Sequence, residues 1–233
     1  MAEISIVLVR PLYAGNVGSV ARVMANFGLK NLILVKPCKL GKKANDMAVH
    51  AKSILKKAKV YKNFEAAIKN FDLVIGTTAE STNKDDYFLR ITISPEELRK
   101  KLQKVYGKVA VVFGPEDIGL KNEELERCDI AVSIQSAKDY RSMNLSHAVA
   151  IILYELSKGE GEKIQFRLAS KREKDLITNT FGAIANLIKY PKPVERRKIF
   201  NLMLSRIIGR AQITGREANT LIGVLKKMKK RLK

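Results

Sequence analysis

Four polar clusters in this chain carry side chains able to do chemistry, and each borders an apolar run. Gly15-Asn16, with Arg22 further on, follows Ile4–Val9, and Thr77-Thr78-Ala79 follows Asp72–Gly76. Gly114-Pro115-Glu116 follows Val109–Phe113, and Arg141-Ser142-Met143-Asn144 precedes the apolar stretch Leu145–Leu156. An arginine offers a planar fork of donors that clamps a phosphate, but with a pKa above about 12 it keeps its proton at neutral pH and is a poor base. Glu116 can accept N–H groups and hold loops together, which fits its setting better than a role as base. Ser142 and Asn144 are good N-cap residues at the start of a helix whose first N–H groups lack intrahelical partners. A helix start with free donors, a hydroxyl, an amide and an arginine suits a polar ligand. Taken alone, the segment also reads as an ordinary capped core helix.

The elements that must position these clusters follow from hydrophobic periodicity. Ile4–Val9, Asn31–Val35, Asp72–Gly76, Val109–Phe113 and Ile130–Ile134 are continuous apolar runs rich in β-branched residues, as expected of strands covered on both faces. Helices are expected at Val17–Phe27, Met47–Ala58, Phe64–Phe71, from Ser94-Pro95-Glu96-Glu97 to about Tyr106, at Asn122–Arg127, and from Leu145 to Leu156. The apolar residues of the last one cover most of its circumference, which predicts burial all round. The polar stretch Glu80–Arg90 reads as a loop. Strands alternating with helices predict an α/β domain with a parallel sheet. In such a sheet the carboxyl ends of the strands share one edge, so the four clusters can converge there.

Lys158–Glu162 reads as a linker, dividing the chain into a sheet domain over 1–160 and a helical extension over 163–233. The extension shows no strand pattern. Its helices are expected at Lys171–Ile188, Pro193–Ile208 and Thr214–Leu232, the last opened by a capping box of Thr214 and Glu217.

Charge separates the two parts. Residues 1–161 hold 25 basic and 18 acidic side chains, whereas 162–233 hold 19 and 5, within a total of +21 over 233 residues. Such a tail points to a polyanionic partner, nucleic acid first, although lysine enrichment also accompanies heat-adapted proteins. Aromatics make up only 6% and tryptophan is absent, which disfavours a single-strand stacking platform. No apolar run is long enough to span a bilayer and no leader is recognisable, so an intracellular, cytoplasmic protein is expected. Cys38, Cys128, His50 and His147 show no metal-ligand spacing, so no metal is expected. The two cysteines read best as free thiols. Gly15-x-x-Gly18 is not a dinucleotide fingerprint and no P-loop occurs. Ser146 and His147 are neighbours on one helix and point apart, so they do not form a hydrolase pair.

GNVGSVAR, VVFGPEDIGLKNEEL and SMNLSHAVAIILYEL together resemble the three motifs of the SPOUT superfamily, in its TrmH-like RNA ribose 2′-O-methyltransferases. With the basic tail FNLMLSRIIGRAQITGREANTLIGVLKKM, the chain is most similar to the TrmJ group of tRNA methyltransferases. The resemblance implies a trefoil knot in the carboxyl-terminal part of the sheet domain, where the general rule against knots would have left an open doubly wound sheet. It also implies a homodimer with active sites near the subunit interface, S-adenosylmethionine as cofactor, and methylation of a tRNA ribose, at nucleotide 32 of the anticodon loop in the TrmJ group. Ribosomal RNA or another tRNA position, a non-catalytic RNA-binding role, and more distantly a small-molecule reductase stay open as alternatives.

By the same resemblance the cofactor would meet Thr77, Thr78, Ala79, Gly114, Ile134, Arg141, Ser142, Met143 and Leu145. Catalysis would involve Arg22, Asn16, Ser142, Asn144 and Glu116. Arg22 would clamp the target's phosphate and orient the hydroxyl. The tail, through Arg196, Arg197, Lys198, Arg206, Arg210 and Arg216, would grip RNA phosphates without reading sequence.

Overall fold

The structure, a computed structural model, describes residues 2–79, 92–103, 105–137, 139, 142–158, 166–192 and 196–232. Arg141, all of the expected loop at 80–90, residues 159–162 of the expected linker with the domain boundary there, and the start of the second tail helix lie outside these residues.

The sheet domain runs β1 (Glu3–Val9), α1 (Ala14–Asn26), β2 (Leu32–Val35), α2 (Gly41–Ala48), α3 (Lys52–Lys57), β3 (Lys59–Tyr61), α4 (Phe64–Ile68), β4 (Leu73–Thr77), β5 (Thr92–Ile93), α5 (Pro95–Gln103), β6 (Val105–Tyr106), β7 (Lys108–Phe113), α6 (Asn122–Leu125), β8 (Ile130–Val132) and α7 (Leu145–Ser157). Among the described residues it holds the five expected strands and adds three short ones that were not expected, β3, β5 and β6. Among the described residues seven strands form one parallel sheet in the order β3-β2-β1-β7-β4-β8-β5. The apolar runs are continuous because both faces are covered. On one face Ile6, Leu8, Ile75, Val111 and Phe113 pack with Val20, Met24, Leu98, Val149 and Ile152 of α1, α5 and α7. On the other, Val7, Val9, Val74, Ala110 and Val112 pack with Phe64, Ile68 and Leu125 of α4 and α6. The helix expected over Met47–Ala58 is broken in two by a short 3-10 turn, with Val49 in the left-handed region at φ 51°.

Two expectations need correction. The surface of α7 is not buried all round: Leu145, Val149, Ile152 and Leu153 face the core, while Ile151 and Tyr154 stand 38% and 57% exposed. Its apolar residues are more numerous than the sheet alone can cover. Among the described residues the tail, moreover, opens with a strand, β9 (Phe166–Arg167), which pairs in parallel with β6. Two residues are too short to leave a periodic signal.

Three helices complete the tail, α8 (Lys171–Leu187), α9 (Arg196–Ala211) and α10 (Gly215–Arg231). Ile177, Ile184, Ala218, Ile222 and Leu225 form their core. The predicted capping box at Thr214 and Glu217 is present, and Ser170 with Glu173 makes a second one on α8. The tail is docked on the sheet domain. The Lys174 ammonium, 7% exposed, donates to Asp129 Oδ1 at 2.7 Å and to the Asp72 carbonyl at 2.8 Å. Asp129 in turn accepts the Val74 N–H at 2.8 Å through its other oxygen. The carboxylate thus fixes β4 and the tail at once.

Candidate active site

The carboxyl edge of the sheet is shaped by sharp backbone turns after β1 and β7. Arg10, just past β1, sits in the left-handed region at φ 49°, and its guanidinium pairs with the buried Glu124 at the start of α6. That ion pair raises the Arg10 pKa above its ordinary value, through the hydrogen bond to Glu124 first. Past this bend the Leu12 N–H donates to Glu116 Oε2 at 2.9 Å. After β7 the turn Gly114–Gly119 folds back on itself, closed by Gly119 N–H to the Pro115 carbonyl at 2.9 Å. A β-carbon at Gly114 would lie 2.1 Å from the Gly119 carbonyl carbon, so only glycine permits this loop.

Between these turns lies a cleft of about 380 Å³. Thr77, Thr78, Ala79, Gly114, Glu116, Ile134, Ser142, Met143 and Leu145 all line it. These residues come from four separated segments; all but Ile134 and Leu145 lie in the candidate clusters, and those two were expected from the family resemblance alone. The apolar floor was not foreseen: Phe113, Leu120, Val132 and Ala148 also line the cleft. The available signals were that Phe113 ends the run before Gly114, and that Ala148 stands one helical turn after Leu145.

At its mouth a hydrogen-bonded relay joins three of the clusters. Asn16 Nδ2 donates to Glu116 Oε1 at 2.7 Å, and Asn144 Nδ2 donates to Asn16 Oδ1 at 3.2 Å. Asn144 also caps α7, its Oδ1 accepting the Ser146 N–H at 2.9 Å and the Ser146 hydroxyl at 2.8 Å. Asn144, not Ser142, is therefore the helix cap, which leaves the Ser142 side chain at the cleft wall. Ser146, 8% exposed, was not singled out as a site residue. Both oxygens of Glu116 accept hydrogen bonds, and the Glu116 charge helps burial to push the nearby Cys38 thiol pKa upward. Cys38 and Cys128 are free thiols.

Arg22 is not brought to the cleft within this chain. It stands exposed on α1, outside the residues that line the cavity. The basic residues of the tail divide as well. Arg196, Lys198 and Arg216 are exposed, and Arg197 and Arg210 are half-buried. Arg206 is a correction: it is 2% exposed, and its Nη1 donates to the carbonyls of Leu125 and Cys128 at 3.2 and 2.8 Å. Burial lowers its pKa, yet a guanidinium still carries its charge. It anchors α9 to the sheet domain and does not face a ligand. Among the described residues no group of three or more His, Cys, Asp or Glu side chains could hold a metal ion, and no helix is long and apolar enough to cross a membrane.

At about 380 Å³, with polar and apolar residues both in its lining, the cleft is within the size range of nucleoside sites. Leu145, Ile134 and Met143 are apolar, as the walls around a purine ring would need to be, and Gly114 lines the same cleft.

Comparison with known proteins agrees with this geometry. Residues 3–154 match the SpoU rRNA Methylase family. The chain is 43% identical over 229 residues to the tRNA (cytidine-2′-O-)-methyltransferase TrmJ of Methanocaldococcus jannaschii, covering 96% of this chain and 98% of that one. It is 31% identical over 236 residues to the tRNA (cytidine/uridine-2′-O-)-methyltransferase TrmJ of Escherichia coli K12, covering 97% and 94%. The crystal structure of TrmJ from Z. mobilis ZM4 superposes with a TM-score of 0.78 at 27% identity, over 97% of this chain and 99% of that one. With its parallel sheet, its three motifs gathered at one cleft and these relatives along nearly its whole length, the chain belongs to the SpoU rRNA methylase family and is a methyltransferase.

Proposed function

We propose that this methyltransferase acts on tRNA, moving a methyl group from S-adenosylmethionine to a ribose 2′-hydroxyl, at nucleotide 32 of the anticodon loop. The relay Glu116–Asn16–Asn144 carries this reading, because it ties three remote motifs to the mouth of one cleft. The relatives named as tRNA (cytidine-2′-O-)-methyltransferases support tRNA as the substrate and cytidine as the base. The family's description as rRNA methylases favours ribosomal RNA as the second reading.

Bound against Gly114, Ile134, Met143 and Leu145, the cofactor would supply an electrophilic methyl on sulfur. The protein's part is then positioning and electrostatics. Thr77, Thr78 and Ala79 close the far wall, and Ser142 stands where it can orient the ribose. Glu116, with both oxygens engaged by Leu12 and Asn16, holds loops in place and is not the base. The 2′-oxygen would bond to the methyl carbon as the carbon–sulfur bond breaks, S-adenosylhomocysteine being the leaving group, and the hydroxyl proton would pass to water or to a phosphate oxygen of the RNA.

The reading includes a homodimer. Ile151 and Tyr154 of α7, and Leu12 and Tyr13 before α1, are exposed apolar side chains near the active edge, and α1 packs on α7. A second subunit covering them would bring the exposed Arg22 to an active site that one chain leaves without it. The trefoil threading of the chain between β7 and α7 belongs to the same proposal. Incubation with labelled S-adenosylmethionine and bulk tRNA, followed by mapping of ribose-methylated positions, tests the whole. Label on ribosomal RNA alone would move the assignment to the second reading.

A further inference from the structure

At the opposite edge of the sheet lies a second cavity, of about 550 Å³, larger than the methyl-transfer cleft. It opens beneath the amino ends of β1 and β2, bounded by α3, β3, α4 and the start of β7. Four lysines line it, Lys30, Lys57, Lys59 and Lys108, all exposed, and among the described residues no carboxylate pairs with any of their ammonium groups. Glu3 alone lines it with the opposite charge, and its carboxylate accepts a hydrogen bond from Asn31 Nδ2 at 3.1 Å. A concave surface with four cations against one anion concentrates positive potential and draws in anions.

The interior is of another kind. Phe71 and Ile54, 7% and 6% exposed, give it an apolar floor. Ser5 interrupts the apolar run Ile4–Val9 of β1 and is 5% exposed. Among the described residues its side chain makes no hydrogen bond, so its hydroxyl is available to whatever occupies the cavity. An apolar floor, a buried hydroxyl and a cationic rim, in a volume within the range of small-molecule sites, match the three parts of a nucleotide.

We propose that this cavity is a second binding site that takes one nucleotide unit, its phosphate at the lysine rim and its nucleoside against the Phe71 floor. The unit is either a free nucleotide or a nucleotide of the RNA substrate. Strands of β1's length separate the two edges by about 20 Å, a span that a folded RNA bridges. The assignment stands apart from the methyl-transfer reading, because its readout is binding with the cleft already filled.

The test is calorimetric titration of the full chain with CMP in the presence of saturating S-adenosylhomocysteine, with cytidine as the phosphate-free control. CMP should bind at least tenfold tighter than cytidine. The double variant Lys57→Glu/Lys59→Glu should weaken CMP at least tenfold, Ser5→Ala several-fold, and Lys62→Glu/Lys69→Glu, outside the cavity, much less. Binding of S-adenosylhomocysteine, which tests the other reading separately, should not change in any of them. If tRNA displaces CMP, the occupant is RNA; if both bind together, it is a free nucleotide. Should CMP binding respond to none of these substitutions, or be absent while tRNA affinity in Ser5→Ala and Lys57→Glu/Lys59→Glu equals that of the Lys62→Glu/Lys69→Glu control, the proposal is overturned.

Discussion

The Asn144 carboxamide nitrogen donates to the Asn16 carboxamide oxygen across 3.2 Å, joining residues 128 positions apart in the chain. The direction of this bond is set from behind. Ser146 donates to Asn144 Oδ1 from both its N–H and its hydroxyl, so the Asn144 nitrogen must point at Asn16. Asn16 is then left with its own nitrogen for Glu116. Each amide is oriented by the one before it.

This order predicts graded losses. Asn144→Ala removes the helix cap, at about 1 kcal/mol of stability, and the link to Asn16, and should lower turnover about 100-fold. Ser146→Ala keeps the backbone donor and loses only the hydroxyl, so kcat should fall about tenfold with KM for the methyl donor unchanged. Ser146→Thr restores the hydroxyl and should recover most of that loss. Steady-state kinetics of the three variants, with melting temperatures as control, checks the series, and equal losses in Ala and Thr would break it.

Glu116 separates two roles by pH. As a loop tie it uses both carboxylate oxygens as acceptors, and Glu116→Gln offers one of them an N–H₂ in place of a lone pair. Turnover of Glu116→Gln should fall about 10- to 100-fold, in line with losing one hydrogen bond to a charged group of about 1.5–3 kcal/mol. The shape of the pH–rate profile should not change. A carboxylate limb present in the native profile and lost in the variant would make Glu116 the base.

Arg22 and the exposed face of α7 should fail together. Arg22→Ala should cut turnover about 100-fold or more while leaving methyl-donor binding intact, as expected for a donor that acts on the target. Tyr154→Asp, which puts a charge in the apolar patch, should give a monomer in sedimentation analysis with a similar loss of turnover. Mixing inactive Arg22→Ala with a variant defective in the cleft, such as Gly114→Val, should restore part of the activity if the arginine serves the partner's site. No restoration would confine Arg22 to its own chain.

Much of this site was legible because strand ends in a parallel sheet share an edge. Thr77, Gly114 and Ser142 could be grouped without knowing the strand order, since any order puts carboxyl ends of parallel strands together. What stayed hidden depends on contacts between distant segments. Arg206 and Arg216 both look like surface cations of an amphipathic tail, but Arg206 meets the carbonyls of Leu125 and Cys128, and a partner of that kind leaves no trace in its own sequence neighbourhood. The same holds for Lys174, whose spacing marks an exposed lysine until Asp129 is known to lie beneath it. Exposure of Ile151 and Tyr154 was hidden for the opposite reason, since an apolar side chain reads alike whether it meets the sheet or a second subunit.

The division among the tail arginines can be measured. Replacing Arg196, Lys198 and Arg216 with Gln should weaken tRNA binding and reduce the slope of log K against log salt by about one for each phosphate that is no longer neutralised. Arg206→Met should leave that slope unchanged. It should instead lower the melting temperature, because the Leu125 and Cys128 carbonyls lose their donor, at about 1–3 kcal/mol. A shallower salt slope in Arg206→Met would return that residue to the RNA surface.

The start of the tail should sense acid. Glu173 accepts two hydrogen bonds from Arg167, both at 2.9 Å, and one from the Ser170 N–H at 2.7 Å. With the Arg167 hydrogen bond as the main cause, its pKa falls from the model-compound 4.5 to about 2. A depressed carboxylate pKa contributes stability that is fully present above the unfolded value and is lost as pH falls through the folded one. The contribution should therefore be complete above about pH 5 and fade between pH 4.5 and 2, by about 2 kcal/mol once solvent screening of the half-exposed Arg167 is allowed for. Chemical denaturation of the native chain and of Glu173→Gln, followed from pH 7 to pH 3, should give two curves separated at neutral pH that approach one another as the pH falls. A separation that stays constant over that range would mean that the capping bonds of Glu173, and not its charge, hold the helix start.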